Sequence, residues 1–211
     1  MIDYLTINET LNMFKKISIK IIENEPLLTQ IDLKTGDGDH GTGMKIGFQA
    51  VLNMLEQDKS LNSIQEIFKS VGMKLIDTMG GVSGVLFGTL FISGISKIKN
   101  NEHLTLEEFQ KALNLATDAI MERGGAYLGD KTMIDALMPA VCALKQSCEE
   151  GLNFKEATKK AYQAAKDGVD NTKKMLAKKG RAMSFREKSI GYQDAGATSI
   201  MLIFSAIYES I

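Results

Sequence analysis

Apolar positions recur at helical spacing along nearly the whole chain. Thr6 and Glu9 make a capping-box pair, and Leu11, Phe14, Ile17, Ile21 and Ile22 then share one face until Pro26 stops the first helix. A second helix turns Met44, Phe48, Val51, Leu52 and Leu55 inward, and Ser63 with Glu66 opens a third along Ile67, Val71 and Leu75. The fourth, Val85 to Ile98, is apolar on most sides, which predicts a central position. Thr105 and Glu108 begin a fifth along Phe109, Ala112, Leu113 and Ala116. Met133 to Cys148, Phe154 to Ala177 and Ala197 to Tyr208 supply the sixth, seventh and eighth. No stretch alternates with period two for long enough to predict a strand, and no repeat or Pro/Ser-rich linker divides the chain. The expectation is all-α: a single domain over residues 1–211, with eight helices packed antiparallel.

Composition adds exclusions. Of 211 residues, 44% are hydrophobic and only 2 are Pro, which removes disordered and collagen-like classes. Lys+Arg number 25 against 26 Asp+Glu, a balance that argues against nucleic-acid and membrane-surface partners. The N-terminus has an acid at Asp3 and no apolar core of a signal peptide. The longest uncharged stretch, residues 78–96, contains five glycines and is too dilute for a membrane span. Cys142 and Cys148, six apart on one helix, point to different faces and read as buried free thiols. A reducing, cytoplasmic setting follows.

The 19 glycines stand out in a helical chain. Thirteen fall in four windows, 36–43, 80–84, 124–129 and 180–196, while the other six fit close helix packing. The windows follow the first, third, fifth and seventh predicted helices. If helices alternate in direction, all four gather at one end of the bundle.

The first window reads Gly36-Asp37-Gly38-Asp39-His40-Gly41-Thr42-Gly43, with Asp32 just before it. It contains G-x-G-x-x-G, but no strand precedes it and two carboxylates inside the loop would repel a pyrophosphate. An EF-hand fails because Phe48 stands where a bidentate Glu is needed. Asp32, Asp37 and Asp39 suit a hard cation such as Mg2+, which would reverse the objection to phosphate; a solvated acidic turn is the alternative. Gly80-Gly81-Val82-Ser83-Gly84 either cradles a phosphate or makes a tight interhelical turn. Gly124 to Thr132 resembles a Walker A loop with one residue too many before Lys131, and is not a P-loop. Lys178, Lys179, Arg181, Arg186 and Lys188 form a cationic stretch suited to polyphosphate, or simply a solvated basic run. His40 fits a nucleotide or supporting contact better than a general base, and His103 reads as a surface-loop residue.

Gly36-Asp-Gly-Asp-His-Gly41, Gly80-Gly-Val-Ser-Gly84, Gly129-Asp-Lys-Thr-Met133, Lys179-Gly-Arg-Ala182 and Ser189-Ile-Gly-Tyr-Gln-Asp-Ala-Gly-Ala-Thr-Ser199 stand in one order. In that order the chain resembles the nucleotide-binding (L) subunits of dihydroxyacetone kinases, over essentially its whole length. The resemblance implies an eight-helix antiparallel barrel with nucleotide at one end. It implies two Mg2+ ions on Asp32, Asp37 and Asp39, and ADP, transiently ATP, surrounded by His40, Gly41, Thr42, Gly43, Val82, Ser83, Gly124, Met133, Arg181, Asp194, Ala195 and Gly196. One departure is Ala195, where the family usually has Pro, and it should loosen that loop. In the stand-alone type, bound ADP takes a phosphoryl group from a phosphohistidine protein, the M subunit, and passes it to dihydroxyacetone on a separate K subunit. The same resemblance admits an ATP-using half of a two-component kinase, or a nucleotide-dependent regulator that contacts a transcription factor.

Overall fold

A computed structural model describes residues 4–58, 60–98 and 102–211; Asp3 lies outside them. Among the described residues are helices α1 (Ile7–Glu23), α2 (Glu25–Asp32), α3 (His40–Gln57), α4 (Ile64–Met79) and α5 (Gly81–Ile92). The chain continues through α6 (Leu106–Gly124), α7 (Ile134–Glu149), α8 (Phe154–Thr172) and α9 (Ala195–Ser210). The eight long helices close into a ring. Each of α1, α3, α4, α5, α6, α7, α8 and α9 packs on the next, and α9 packs back on α1. Helices that pack on their chain neighbours around such a ring run antiparallel. The expected all-α eight-helix barrel is present, with α2 added against α3 and α9.

The local rules explain most boundaries. Thr6 and Thr105 make full capping boxes with Glu9 and Glu108, and Asn153 does the same with Glu156. Phe14 of α1 packs edge-to-face on Phe68 of α4 and Phe91 of α5, at 4.8 and 5.2 Å between ring centres. Five of the six remaining glycines (47, 72, 88, 94 and 168) lie where a Cβ would collide with a neighbouring element. Gly151 differs: space around it is open, and its φ of +69° serves the turn after α7.

Several expectations need correction. Asn24 ends α1, and Pro26 then sits in the first turn of α2, where its missing N–H costs no hydrogen bond. Two three-residue strands, β1 (Tyr4–Thr6) and β2 (His103–Thr105), pair antiparallel, too short for alternation to reveal them. His103 therefore belongs to a strand, its ring 4.4 Å from that of Tyr4. Helix α5 starts four residues earlier than expected and stops at Ile92. A short 3-10 turn, Ile95–Lys97, follows as Gly94 presses on the Ala112 backbone. Nor is α5 buried on all sides: Val82 and Val85 are exposed, while Phe87, Leu90 and Phe91 face the core. Helix α8 ends at Thr172, short of Ala177, because the following carbonyls turn to another partner described below. Cys142 is exposed and Cys148 partly so, because α7 buries the stripe of Leu137, Ala140, Val141 and Leu144 instead. No helix of the described residues is long and apolar enough to cross a membrane.

One close helix contact gives a test of the ring. A methyl group on Gly168 of α8 would strike the Asp135 carbonyl and Ala136 Cα of α7. Gly168→Ala should lower unfolding free energy by about 2 kcal/mol through overpacking, measured by urea denaturation. A neutral or stabilising result would mean that α7 and α8 are not so closely apposed.

Candidate functional site

Helix α2 delivers Asp32 at its last turn, beside the loop that precedes α3. Asp32 Oδ2 accepts from the backbone N–H of Gly38 (2.9 Å) and of His40 (3.3 Å), so this carboxylate also organises the loop. Gly38 takes φ +81°, a backbone open to glycine at little cost. Asp32, Asp37 and Asp39 each offer a carboxylate oxygen within 4.8 Å of the others. Asp37 and Asp39 also form ion pairs with Arg181, the latter at 3.1 Å. The first and fourth glycine windows therefore meet, and a guanidinium already sits as a cation on two of the three acids.

The other predicted residues surround this junction. His40 opens α3, with Nε2 2.8 Å from Ser199 Oγ of α9. Ser199 Oγ also lies 3.2 Å from the Ala195 carbonyl, so His40 and this hydroxyl share one hydrogen-bond chain with the start of α9. Burial pulls the imidazole below its ordinary value, outweighing the nearby Asp32 charge, so His40 is neutral near pH 7. Its ring lies 6.2 Å from Phe87 of α5. One residue earlier, Leu86 is the nearest side chain to Gly124. Val82 and Ser83 stand exposed in the first turn of α5, and buried Met133 abuts Gly196. Gly125 faces the Lys179 ammonium, joining the third window to the fourth.

Helix starts divide by end. Thr6, Ser63, Thr105 and Asn153 cap α1, α4, α6 and α8 with side chains at the end away from the acids. At the acid end, α3, α5 and α7 carry no side-chain cap, and only α9 has one, from Asp194. The starts of α3 and α5 point their positive dipole ends toward any bound anion, while Ile134 N of α7 already donates to Thr132 Oγ1 (3.2 Å). Asp194 Oδ2 accepts from Ala197 N (2.7 Å), and Asp194 N donates to Thr172 Oγ1 (3.0 Å). Ala195 occupies the first helical position, and the Asp194 side chain fixes the helix start.

Lys131 is the residue that the pattern of the sequence did not single out as functional. It is 1% exposed, and its ammonium donates to the carbonyls of Tyr192 (2.6 Å), Thr172 (2.7 Å), Ser189 (2.8 Å) and Met175 (3.3 Å). These contacts take the carbonyls at and beyond the end of α8. Burial lowers its pKa while Asp194 and Asp135 oppose that shift through space. Asp135, also buried, accepts from Gly129 N (2.6 Å) and Thr132 N (2.7 Å) and so shapes the loop around Lys131. Asp130 accepts from Tyr127 N and pairs with Lys178 (3.1 Å); those contacts hold its carboxyl below the usual range. A sequence signal existed: Gly129-Asp130-Lys131-Thr132, set apart from P-loops, lacked only a destination for its lysine.

Fold and site together define an all-helical barrel with a carboxylate cluster, a facing cationic segment and uncapped helix starts at one end. The chain belongs to the DAK2 domain family, whose model matches residues 34–209. It is 40% identical over 182 residues to the PEP-dependent dihydroxyacetone kinase ADP-binding subunit DhaL of Escherichia coli (strain K12), covering 85% of each chain. It is 34% identical over 207 residues to the PTS-dependent dihydroxyacetone kinase ADP-binding subunit DhaL of Lactococcus lactis subsp. lactis (strain IL1403), covering 98% of this chain and 99% of that one. The crystal structure of the dihydroxyacetone kinase from C. freundii in complex with AMP-PNP and Mg2+ superposes with TM-score 0.76 at 27% identity. That match covers 100% of this chain and 35% of the larger one.

The Asp194 carboxyl carries a pH signature. Burial, joined by repulsion from Asp135 and Asp32, pushes it up to about 7 from 3.8, against the Ala197 N–H and Lys131. A value raised on folding means that the native state binds the proton more tightly. Its stabilising contribution is therefore complete below about pH 4 and is lost as pH rises to about 7. Asp194→Asn keeps a capping oxygen and removes the titration. In metal-free protein, thermal melts should show a shallower fall in Tm over that window for the variant than for the parent. Parallel profiles would refute the assignment.

Proposed function

We propose that this chain, as one L-type domain over residues 1–211, is the ADP-binding phosphoryl-transfer subunit of a dihydroxyacetone kinase. Mg–ADP is held as a coenzyme, receives a phosphoryl group from a phosphohistidine protein (the M subunit) and hands it to dihydroxyacetone on a separate K subunit. The observation that carries this reading is the meeting of Asp32, Asp37 and Asp39 with Arg181 beside uncapped helix starts. Relatives named ADP-binding subunits, matched over most of their length, support it.

The donor set fits the metal. Three hard carboxylates within 4.8 Å suit Mg2+, and in this reading Asp32, Asp37 and Asp39 hold two such ions. Bound magnesium would supply charge neutralisation on the phosphate oxygens. His40, Gly41, Thr42 and Gly43 bring the start of α3 to the phosphates, and Val82 and Ser83 bring the start of α5. Gly124, Met133, Asp194, Ala195 and Gly196 enclose the nucleotide from the opposite side of the ring. Arg181 turns its planar donor fork toward phosphate oxygens when its carboxylate partners take metal. Phosphoryl transfer needs positioning and electrostatic stabilisation more than proton transfer, so no general base is assigned and neutral His40 serves as a contact.

Denaturing the purified protein should release ADP in stoichiometric amount, read by chromatography. Protein that is free of nucleotide and also fails to bind Mg–ADP or Mg–ATP would overturn the reading. Asp37→Asn should weaken Mg–ADP binding about 100-fold in calorimetry with little change in Tm. Unchanged affinity would remove Asp37 from the metal site. A second reading, an ATP-using half of a two-component kinase, is favoured by the likeness to a kinase complexed with AMP-PNP and Mg2+. With a K subunit present, turnover on ATP alone selects that reading, and turnover only with phosphoenolpyruvate and phosphotransferase proteins selects the first.

A further inference from the structure

The Lys131 ammonium has three protons and meets four carbonyl oxygens at 2.6–3.3 Å, with no carboxylate in contact. Rings of backbone carbonyls at such distances replace the hydration shell of a monovalent cation. The geometry is thus that of a monovalent-cation site whose ion is covalently attached to the chain. A second observation points the same way. Lys131 takes φ +62°, a conformation costly for a side chain of its kind and kept only where its surroundings demand it.

The oxygens come from two places. Thr172 and Met175 lie where α8 ends, and Ser189 and Tyr192 lie where the cationic segment returns toward α9. The cage therefore draws together the two ends of residues 173–192, and Arg181 lies between them. Two further contacts close the same neck: Gly191 N donates to the Lys173 carbonyl (2.7 Å) and Ala177 N to Ser189 Oγ (3.0 Å). Neither carries charge.

We infer that Lys131 is a positioning residue: a tethered ammonium that fastens the neck of the 173–192 loop, so that Arg181 stands over the Asp37–Asp39 carboxylates. The inference rests on the nucleotide-binding reading for its consequence in affinity, but not for its consequence in loop structure. Removing the side chain should leave a carbonyl cage that K+ or ammonium can enter.

The test uses full-length Lys131→Ala, compared with wild type in sodium, lithium, potassium and ammonium salts at equal ionic strength. In sodium or lithium, trypsin should cut after Arg181 and Arg186 about tenfold faster than in wild type, and Mg–ADP should bind about tenfold more weakly, the worth of a charged hydrogen-bond set. Potassium or ammonium should restore much of both losses. Lys131→Met, which keeps the volume without the charge, should show the losses and no rescue. The inference is overturned if Lys131→Ala or Lys131→Met matches wild type in both readouts. It is overturned equally if the losses are the same in every salt, or if Lys131→Ala is unfolded in all four. Wild type that fails to bind Mg–ADP would overturn the proposed function, while cleavage rates still decide the role of Lys131.

Discussion

A buried ammonium sets the arrangement of the whole acid end. Taking a charge out of water costs several kcal/mol unless its hydrogen bonds are replaced, and Lys131 replaces them with main-chain carbonyls from the end of α8 and the segment beyond it. Past Thr172 the chain tightens into three-residue turns, with Met175 N on the same Thr172 carbonyl that Lys131 holds, and α8 stops there although apolar spacing runs to Ala177. The Thr172 hydroxyl meets the Asp194 N–H, so the same few residues fix where α9 begins. Helix end, loop path and helix start are consequences of one satisfied charge.

Capping follows a complementary logic. A protein needs its helix starts satisfied where nothing else will satisfy them, and at the far end side chains from Thr6, Ser63, Thr105 and Asn153 do so. At the acid end three helices begin without that help. At α3 beyond His40 and at α5 the first-turn amides are left for water or an arriving anion, whereas Thr132 Oγ1 and the Thr132 and Met133 carbonyls take those of α7. The exception proves informative: Asp194 caps α9 with a carboxyl that burial keeps partly protonated near neutrality, which limits its repulsion of a bound anion.

The fold was legible because each long helix carries its own apolar stripe and most carry a cap at a fixed offset, both local properties. The gathering of glycine windows was legible for the same reason, since it needs only alternating direction. Features that depend on distant partners were not. Pro26 reads as a stop from one side and as a start from the other, and only the packing of α2 on α3 and α9 decides for a start. Three-residue strands have too few positions to show alternation. Cys142 looks apolar by type, yet α7 turns it outward. Lys131 was the hardest, because a buried lysine is recognisable only by its oxygen partners, 41 to 61 residues away.

Two basic residues serve the cationic segment in unlike ways, and the contrast follows from burial. Lys131 is almost wholly removed from solvent, so its contacts are strong and breaking them would strand a charge. Arg181 is 65% exposed, and its ion pairs with Asp37 and Asp39 stand in water, where such pairs contribute about 0–1 kcal/mol. The first contact is built to persist and the second to be exchanged. A loop held permanently at its neck and weakly at its tip keeps Arg181 near the carboxylates without committing it to them. The near-neutral chain, with 25 basic against 26 acidic residues, conceals that division, because the charges that matter are opposed across one end of the barrel.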